Sequence, residues 1–211
     1  MALTLFSRCE AAALDATHDF SAGDTVWSLL SAAVFNSSAA KIGTNGLQCP
    51  SGDDYTQLDA ASIINRLQGA VGFWFRPQTL GAGTWLLNLQ GTSGSDYINI
   101  EYAAGEVALR HRSSIGGNYL VSTTGAGITT GNWYFIQINW TSTGDATNIS
   151  VWNASGTLLA TAGASSAAGI STAPVDIIAV NVGTQGTTMQ VDIDNVFIGN
   201  QYSDDFFAKR N

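Results

Sequence analysis

The residues able to carry chemistry are few, and their spacing limits what they can do. Glycoside hydrolysis needs two carboxylates flanking the scissile bond, about 5–9.5 Å apart. The chain has three glutamates, Glu10, Glu101 and Glu106, and they fall in three different predicted strands. Asp192 and Asp194 stand two apart in Asp-Ile-Asp-Asn-Val-Phe. An outward polar strand face, with Asp194 bonding a nearby loop backbone, accounts for both without catalysis. His18 sits in a polar loop, His111 lies between Arg110 and Arg112, and no Gly-x-Ser-x-Gly elbow is present. Nothing therefore poises a nucleophile. No catalytic residue is assigned, and the chain is expected not to be an enzyme. Cys9 and Cys49 with two distant histidines offer no zinc set; the cysteines are expected as buried thiols, with a bridge as the alternative.

Binding chemistry has more candidates. Sugar recognition uses exposed aromatic faces beside amide and carboxylate hydrogen-bonding groups. Tyr55, Trp85 and Tyr119 border polar loops and are the candidate glycan platforms. Aromatics at strand ends also close cores, and both readings stay open. The last residues end in Asp-Phe-Phe-Ala-Lys-Arg-Asn. Phe206, Phe207, Lys209 and Arg210 would make a poor free tail, so this piece either folds onto its own domain or docks into a neighbouring subunit.

These side chains need a frame, and the frame reads as strands. Val71, Phe73 and Phe75 alternate with Gly72, Trp74 and Arg76, bulky on both faces, as in a central strand. Residues 97–102 and 106–112 form a hairpin with one wet face. The run from Trp133 to Trp140 is the strongest strand, and Asn148–Trp152 turns through Asn153-Ala154-Ser155-Gly156 into Thr157–Ala162. Residues 175–182 and 189–198 add two more. Helical signals are weak: short Ala- or Leu-rich stretches at 11–16 and 25–34, and a turn over 58–67 that Asp59 could cap. Residues 161–172, built of Ala, Gly, Ser and Thr, read as a surface loop. Roughly a dozen strands suit two stacked sheets.

Composition agrees. The 211 residues are 45% hydrophobic and 11% charged, with six tryptophans and a formal charge of -8, which supports one sizeable core and excludes a disordered chain. Eight basic against sixteen acidic residues would repel a phosphate backbone, so no nucleic-acid partner is expected. No apolar run of about 18 residues exists, so no helix is expected to span a membrane. No secretory leader is read at Met1, and the expectation is a product that begins where its fold begins.

Five stretches together resemble the laminin-G-like, concanavalin A-like jelly roll over nearly the whole chain. Leu5–Glu10 resembles its first strand, which pairs near the last. Residues 41–59, with Gly46-Leu47 and Asp53-Asp54-Tyr55, resemble its Gly-x-x-Gly-Leu strand and the acidic segment after it. Residues 69–77 resemble its aromatic strand around Trp74, Gly131-Asn132-Trp133 its Gly-x-Trp motif, and Ile193–Gly199 its closing strand. The resemblance implies an all-β, two-sheet antiparallel jelly-roll β-sandwich over residues 1–200 and a docking tail over 201–211. It also implies calcium as a possible cofactor, with Asp53 and Asp54 as ligands. Against the Glu-x-Asp-x-x-Glu strand of concanavalin A-like glucanases, residues 192–197 end in Phe197 and lack the acid/base residue. The expected function is a non-enzymatic module on a bacteriophage virion surface, as a capsid decoration, fibre or tail protein. Its expected partners are virion subunits and a cell-surface glycan. The alternatives are an extracellular lectin-like protein and a divergent glycoside hydrolase.

Overall fold

The computed structural model describes residues 3–7, 28–30, 34–43, 46–49, 55–59, 68–79, 84–91, 97–103, 106–112, 118–122, 126–141, 147–164, 175–182, 190–199, 201 and 205–207. They form β1 Leu3–Ser7, β2 Ser28–Leu30, β3 Val34–Asn36, β4 Gly46–Cys49, β5 Tyr55–Asp59, β6 Gln68–Pro77, β7 Thr84–Gly91, β8 Tyr97–Ala103, β9 Glu106–Arg112, β10 Asn118–Ser122, β11 Tyr134–Thr141, β12 Thr147–Asn153, β13 Leu158–Ala164, β14 Val175–Val182 and β15 Val191–Gly199. A single 3-10 turn spans Ser37–Ala39.

The strands make two sheets. One has eight strands in the order β13-β12-β11-β6-β15-β4-β3, with β1 also on β15; the other runs β10-β9-β8-β7-β14-β5-β2. Every pairing is antiparallel. Alternation sends Val71, Phe73 and Phe75 of β6 and Ile136 and Ile138 of β11 inward, where they meet Leu86, Leu87 and Val107 of the second sheet in one buried cluster. The chain is a two-sheet antiparallel jelly-roll β-sandwich. The central aromatic strand, the pairing of residues 97–103 with 106–112 as a hairpin, and the pairing of the first strand with the last stand as expected.

The weak helical signals do not. Residues 25–34 contribute β2 and the start of β3, because short apolar runs fit a strand as well as a helix and β5 and β4 offer them backbone partners. Leu58 and Asp59 end β5 rather than open a helix; residues 60–67 and 11–16 lie outside the described residues. The expected loop at 161–172 begins as strand, since β13 runs on to Ala164 against β12.

One irregularity organises the eight-stranded sheet. Along β6, β15 keeps register from Val191 to Asp194 and resumes at Phe197, so one residue of β15 is extra. Asn195 there has φ +48°, a left-handed conformation that Asn tolerates better than most residues. The other flank changes partner at the same point: Val191–Ile193 pair with β4, and Val196–Gly199 with β1. The shift in parity lets Val191 and Ile193, then Val196 and Ile198, all enter the same core. Asn195→Val is expected to be about 1–2 kcal/mol less stable in urea unfolding than Asn195→Gly, because a β-branched side chain resists positive φ and glycine does not. Equal stabilities would show that the bulge does not depend on this backbone conformation.

Candidate functional site

The outer face of the eight-stranded sheet is occupied by the chain itself. Ala70, Trp74, Phe135 and Phe197 form a second buried cluster with Phe206, flanked by Ile42, Trp133, Trp152 and Phe207. Phe206 stacks on Phe197 at 5.6 Å, and Phe207 on Trp152 at 4.5 Å. The Phe206 N–H donates to Gln137 Oε1 at 2.8 Å. A Cβ on Gly72 would stand 2.8 Å from Phe135 Cζ and 3.2 Å from Phe206 Cβ, so the absence of a side chain there makes the seat. Of the two fates expected for this segment, the structure adopts the intramolecular one. Phe206 is 0% exposed within the chain. Phe207 is half-buried; Lys209 and Arg210 lie outside the described residues.

The same face holds the two aspartates. Asp192 Oδ2 accepts from Arg76 Nε at 2.9 Å, from Arg76 Nη2 at 2.6 Å and from the Gln78 side-chain amide. Arg76 also donates to the Ser38 carbonyl and lies over the Trp133 ring at 4.8 Å. Asp194 Oδ2 accepts from the backbone N–H groups of Lys41 and Ile42 at 2.7 and 2.9 Å, and its Oδ1 from the Asn195 N–H at 2.8 Å. The bond from Asp194 to a loop backbone matches expectation. The outward, wet face does not: both carboxylates are 0% exposed, because residues 38–42 and the Arg76 side chain cover them. They are structural anchors, sealed from any substrate and facing no partner acid across a cleft.

The seven-stranded sheet is built differently. Leu86 and Leu87 of β7 both join the core, across a register irregularity with β8 between Trp85 and Leu87. Alternation then turns Asn88 to the opposite face, where it is 7% exposed and its Oδ1 has no hydrogen-bond partner. Its register neighbours are polar on several strands. Gln57, Ala179, Asn88, Asn99, Arg110 and Leu120 form one row across β5, β14, β7, β8, β9 and β10. Two positions along, Asp59, Ile177, Gln90, Tyr97, Arg112 and Asn118 form another. Between them runs Leu58, Ile178, Leu89, Ile98, His111 and Tyr119. The amide and charged residues thus fall at one parity, together with Ala179, Ile177, Tyr97 and Leu120, and mainly aliphatic residues at the other.

Sequence reasoning missed Asn88, although the alternation Leu87-Asn88-Leu89-Gln90 beside the wet-faced hairpin is a legible signal. Of the expected glycan platforms, Tyr55 opens β5 at the parity of Gln57. Trp85 stands at the β7 irregularity, opposite Glu101 and Val182. Tyr119 falls in the row of Leu89 and Ile98, off the amide row, because its pairing with His111 sets that parity. Asp53 and Asp54 lie outside the described residues, and among the described residues no group of three or more His, Cys, Asp or Glu could hold a metal ion. Cys49 is buried in the core, and Cys9 lies outside the described residues.

No protein-family model and no curated protein sequence matches the chain. Solved structures do. Domain 4 of AbnA, a GH43 extracellular arabinanase from Geobacillus stearothermophilus, in complex with arabinotriose, superposes with a TM-score of 0.68 at 17% identity, over 94% of this chain and 92% of that one. The botulinum neurotoxin serotype D binding domain gives 0.65 at 12%, over 94% and 47%. The binding domain of Paraclostridial Mosquitocidal Protein 1 gives 0.65 at 13%, over 87% and 46%. The chain spans under half of the toxin domains and nearly all of the arabinanase domain. At these identities the likeness is one of fold.

Arg76→Met is expected to destabilise the protein by about 3–5 kcal/mol, because Asp192 keeps a buried charge without its partner. Arg76→Met with Asp192→Leu is expected to regain most of that loss in urea unfolding. A single replacement that costs nothing would contradict the anchoring role.

Proposed function

We propose that the chain is a non-catalytic carbohydrate-binding module whose ligand lies across the amide rows of the seven-stranded sheet. The observation that supports this most is Asn88. A nine-tenths buried amide oxygen without a donor costs about 1–3 kcal/mol, and it stands in the row of Gln57, Asn99 and Arg110. Planar amides and guanidinium groups at strand spacing suit adjacent sugar hydroxyls, each of which both donates and accepts. The fold shared with an arabinanase domain solved with arabinotriose supports the same reading.

The location of the chain ends fits display on something larger, for which a bacteriophage virion is the setting proposed from the sequence. β1 and the described residues 205–207 both lie on the eight-stranded sheet. Attachment through β1 or through residues 205–207 would therefore act on the sheet opposite the amide rows.

A hydrolase reading keeps one foothold. Glu101 pairs with Ala108, which makes Glu106 its diagonal neighbour across β8 and β9, so two acids share one region of the sheet. Reducing-sugar release from arabinan and glucan panels is expected to be nil; release abolished by Glu101→Gln would establish this second reading instead.

Binding is tested on a glycan array, followed by calorimetry with the best-bound oligosaccharide. Asn88→Ala and Asn99→Ala are each expected to weaken binding about tenfold, the scale of one hydrogen bond near 1.4 kcal/mol. Absence of any bound glycan would remove the proposal.

A further inference from the structure

Two edge strands close one side of the sandwich. β13 ends the eight-stranded sheet, β10 ends the seven-stranded one, and the two are in contact. The opposite side is closed by β3 and β2, of three residues each. Exposed edges present unpaired backbone groups, and folded proteins guard them with short strands, lysines, prolines, bulges or a covering segment. The β2 and β3 edges are guarded by brevity.

The other side is guarded very little. Residues 113–175, which include both β10 and β13, contain one charged residue, Asp145. β13 has seven residues, with no charge and no proline. Its single irregularity lies where Val151 and Trp152 meet Ala160 and Leu158, so the strand is regular from Ala160 on. Its surface is small and flat: Thr161 and Gly163 are exposed, and Leu158 is 50% exposed. One exposed leucine is ordinary; a long, uncharged, small-residue edge beside a second uncharged edge is not. The hairpin that presents it is tied internally, with Asn153 Oδ1 accepting from the Ser155 N–H at 3.1 Å, Ser155 Oγ at 2.7 Å and the Thr157 N–H at 2.8 Å.

We propose that this side is a self-association surface, on which β13 of one copy pairs antiparallel with β13 of a second across a two-fold axis. Charge selects the occupant. With a net charge of -8, two copies repel each other over most orientations. The side that carries β10 and β13, neither of which has a charged residue, is where they can approach without like charges meeting. A two-fold contact must be self-complementary, and a neutral strand of Ala, Thr and Gly meets that demand. A strongly charged partner would find nothing there to pair with. The resulting dimer extends the eight-stranded sheets end to end and carries two copies of the amide rows.

Sedimentation of the full chain over a range of concentrations, without glycan, tests this independently of the carbohydrate proposal. The expected result is a reversible dimer. Leu158→Lys and Thr161→Lys should each raise its dissociation constant at least tenfold, with the far-ultraviolet circular dichroism of the folded chain retained. Ser37→Lys, at an exposed position on the 3-10 turn, should leave it unchanged. A monomer at every concentration would overturn the proposal. So would a dimer that neither β13 replacement weakens, or one weakened equally by Ser37→Lys.

Discussion

The extra residue in β15 is the constraint on which the eight-stranded sheet depends. Side chains in a strand alternate between faces, so without the insertion everything after Asp194 would change sides. Val196 and Ile198 would leave the core, and Phe197 would enter it. The left-handed Asn195 absorbs the insertion, and the Asp194 carboxylate holds both ends of it. One oxygen accepts from the Asn195 N–H, while the other fastens Lys41 and Ile42. That fastening brings Lys41 over Trp74 at 4.8 Å and helps seal Asp192 with Arg76. Phe197, restored to the outer face, receives Phe206. A single backbone irregularity thus links the closing strand, residues 37–43 and the C-terminal segment.

This arrangement divides the work between the sheets. The eight-stranded sheet has the sandwich core beneath and the second aromatic cluster above, with Asp194 and the Oδ2 of Asp192 engaged in anchoring on that outer face. The seven-stranded sheet has one mainly aliphatic parity and one that carries the amide and charged residues. Its Asn88 keeps a buried acceptor without a partner, as do Asp192, Asn195 and Trp140 for one polar atom each on the eight-stranded sheet; Asn88 differs in standing in a row of amide and charged residues. A fold with its rigidity concentrated in one layer can leave the other for recognition, the division expected when a scaffold presents a site rather than moves to make one.

Much of the frame was legible because its signals are local. Period-two alternation located β6, the β8–β9 hairpin, β11, β12, β14 and β15, and the Asn153–Gly156 turn placed β13. Long-range coverage was not legible. Asp192 and Asp194 look like an outward polar face because alternation puts them there. Only the fold brings Arg76 and residues 38–42 across to bury them. Phe206 could be placed on its own sheet or a neighbour's with equal reason, since the seat made by Gly72 and Gln137 is remote in sequence. Asn88 went unnoticed because attention to aromatics at strand ends favours loops over sheet faces. The parity of Tyr119 was not legible either, being fixed by its pairing with His111. At residues 25–34, apolar content without clear period left helix and strand undecided until partner strands decided it.

Recognition is proposed for the seven-stranded sheet, with the eight-stranded sheet as its scaffold. Backbone amide chemical shifts of the isotope-labelled chain, followed during titration with the best-bound oligosaccharide, decide between the two sheets. Shifts are expected to concentrate on β14, β7, β8 and β9 around Asn88 and Asn99, with β6, β11 and β15 nearly unmoved. Shifts concentrated instead around Trp74, Trp152 and Phe207 would contradict the proposal.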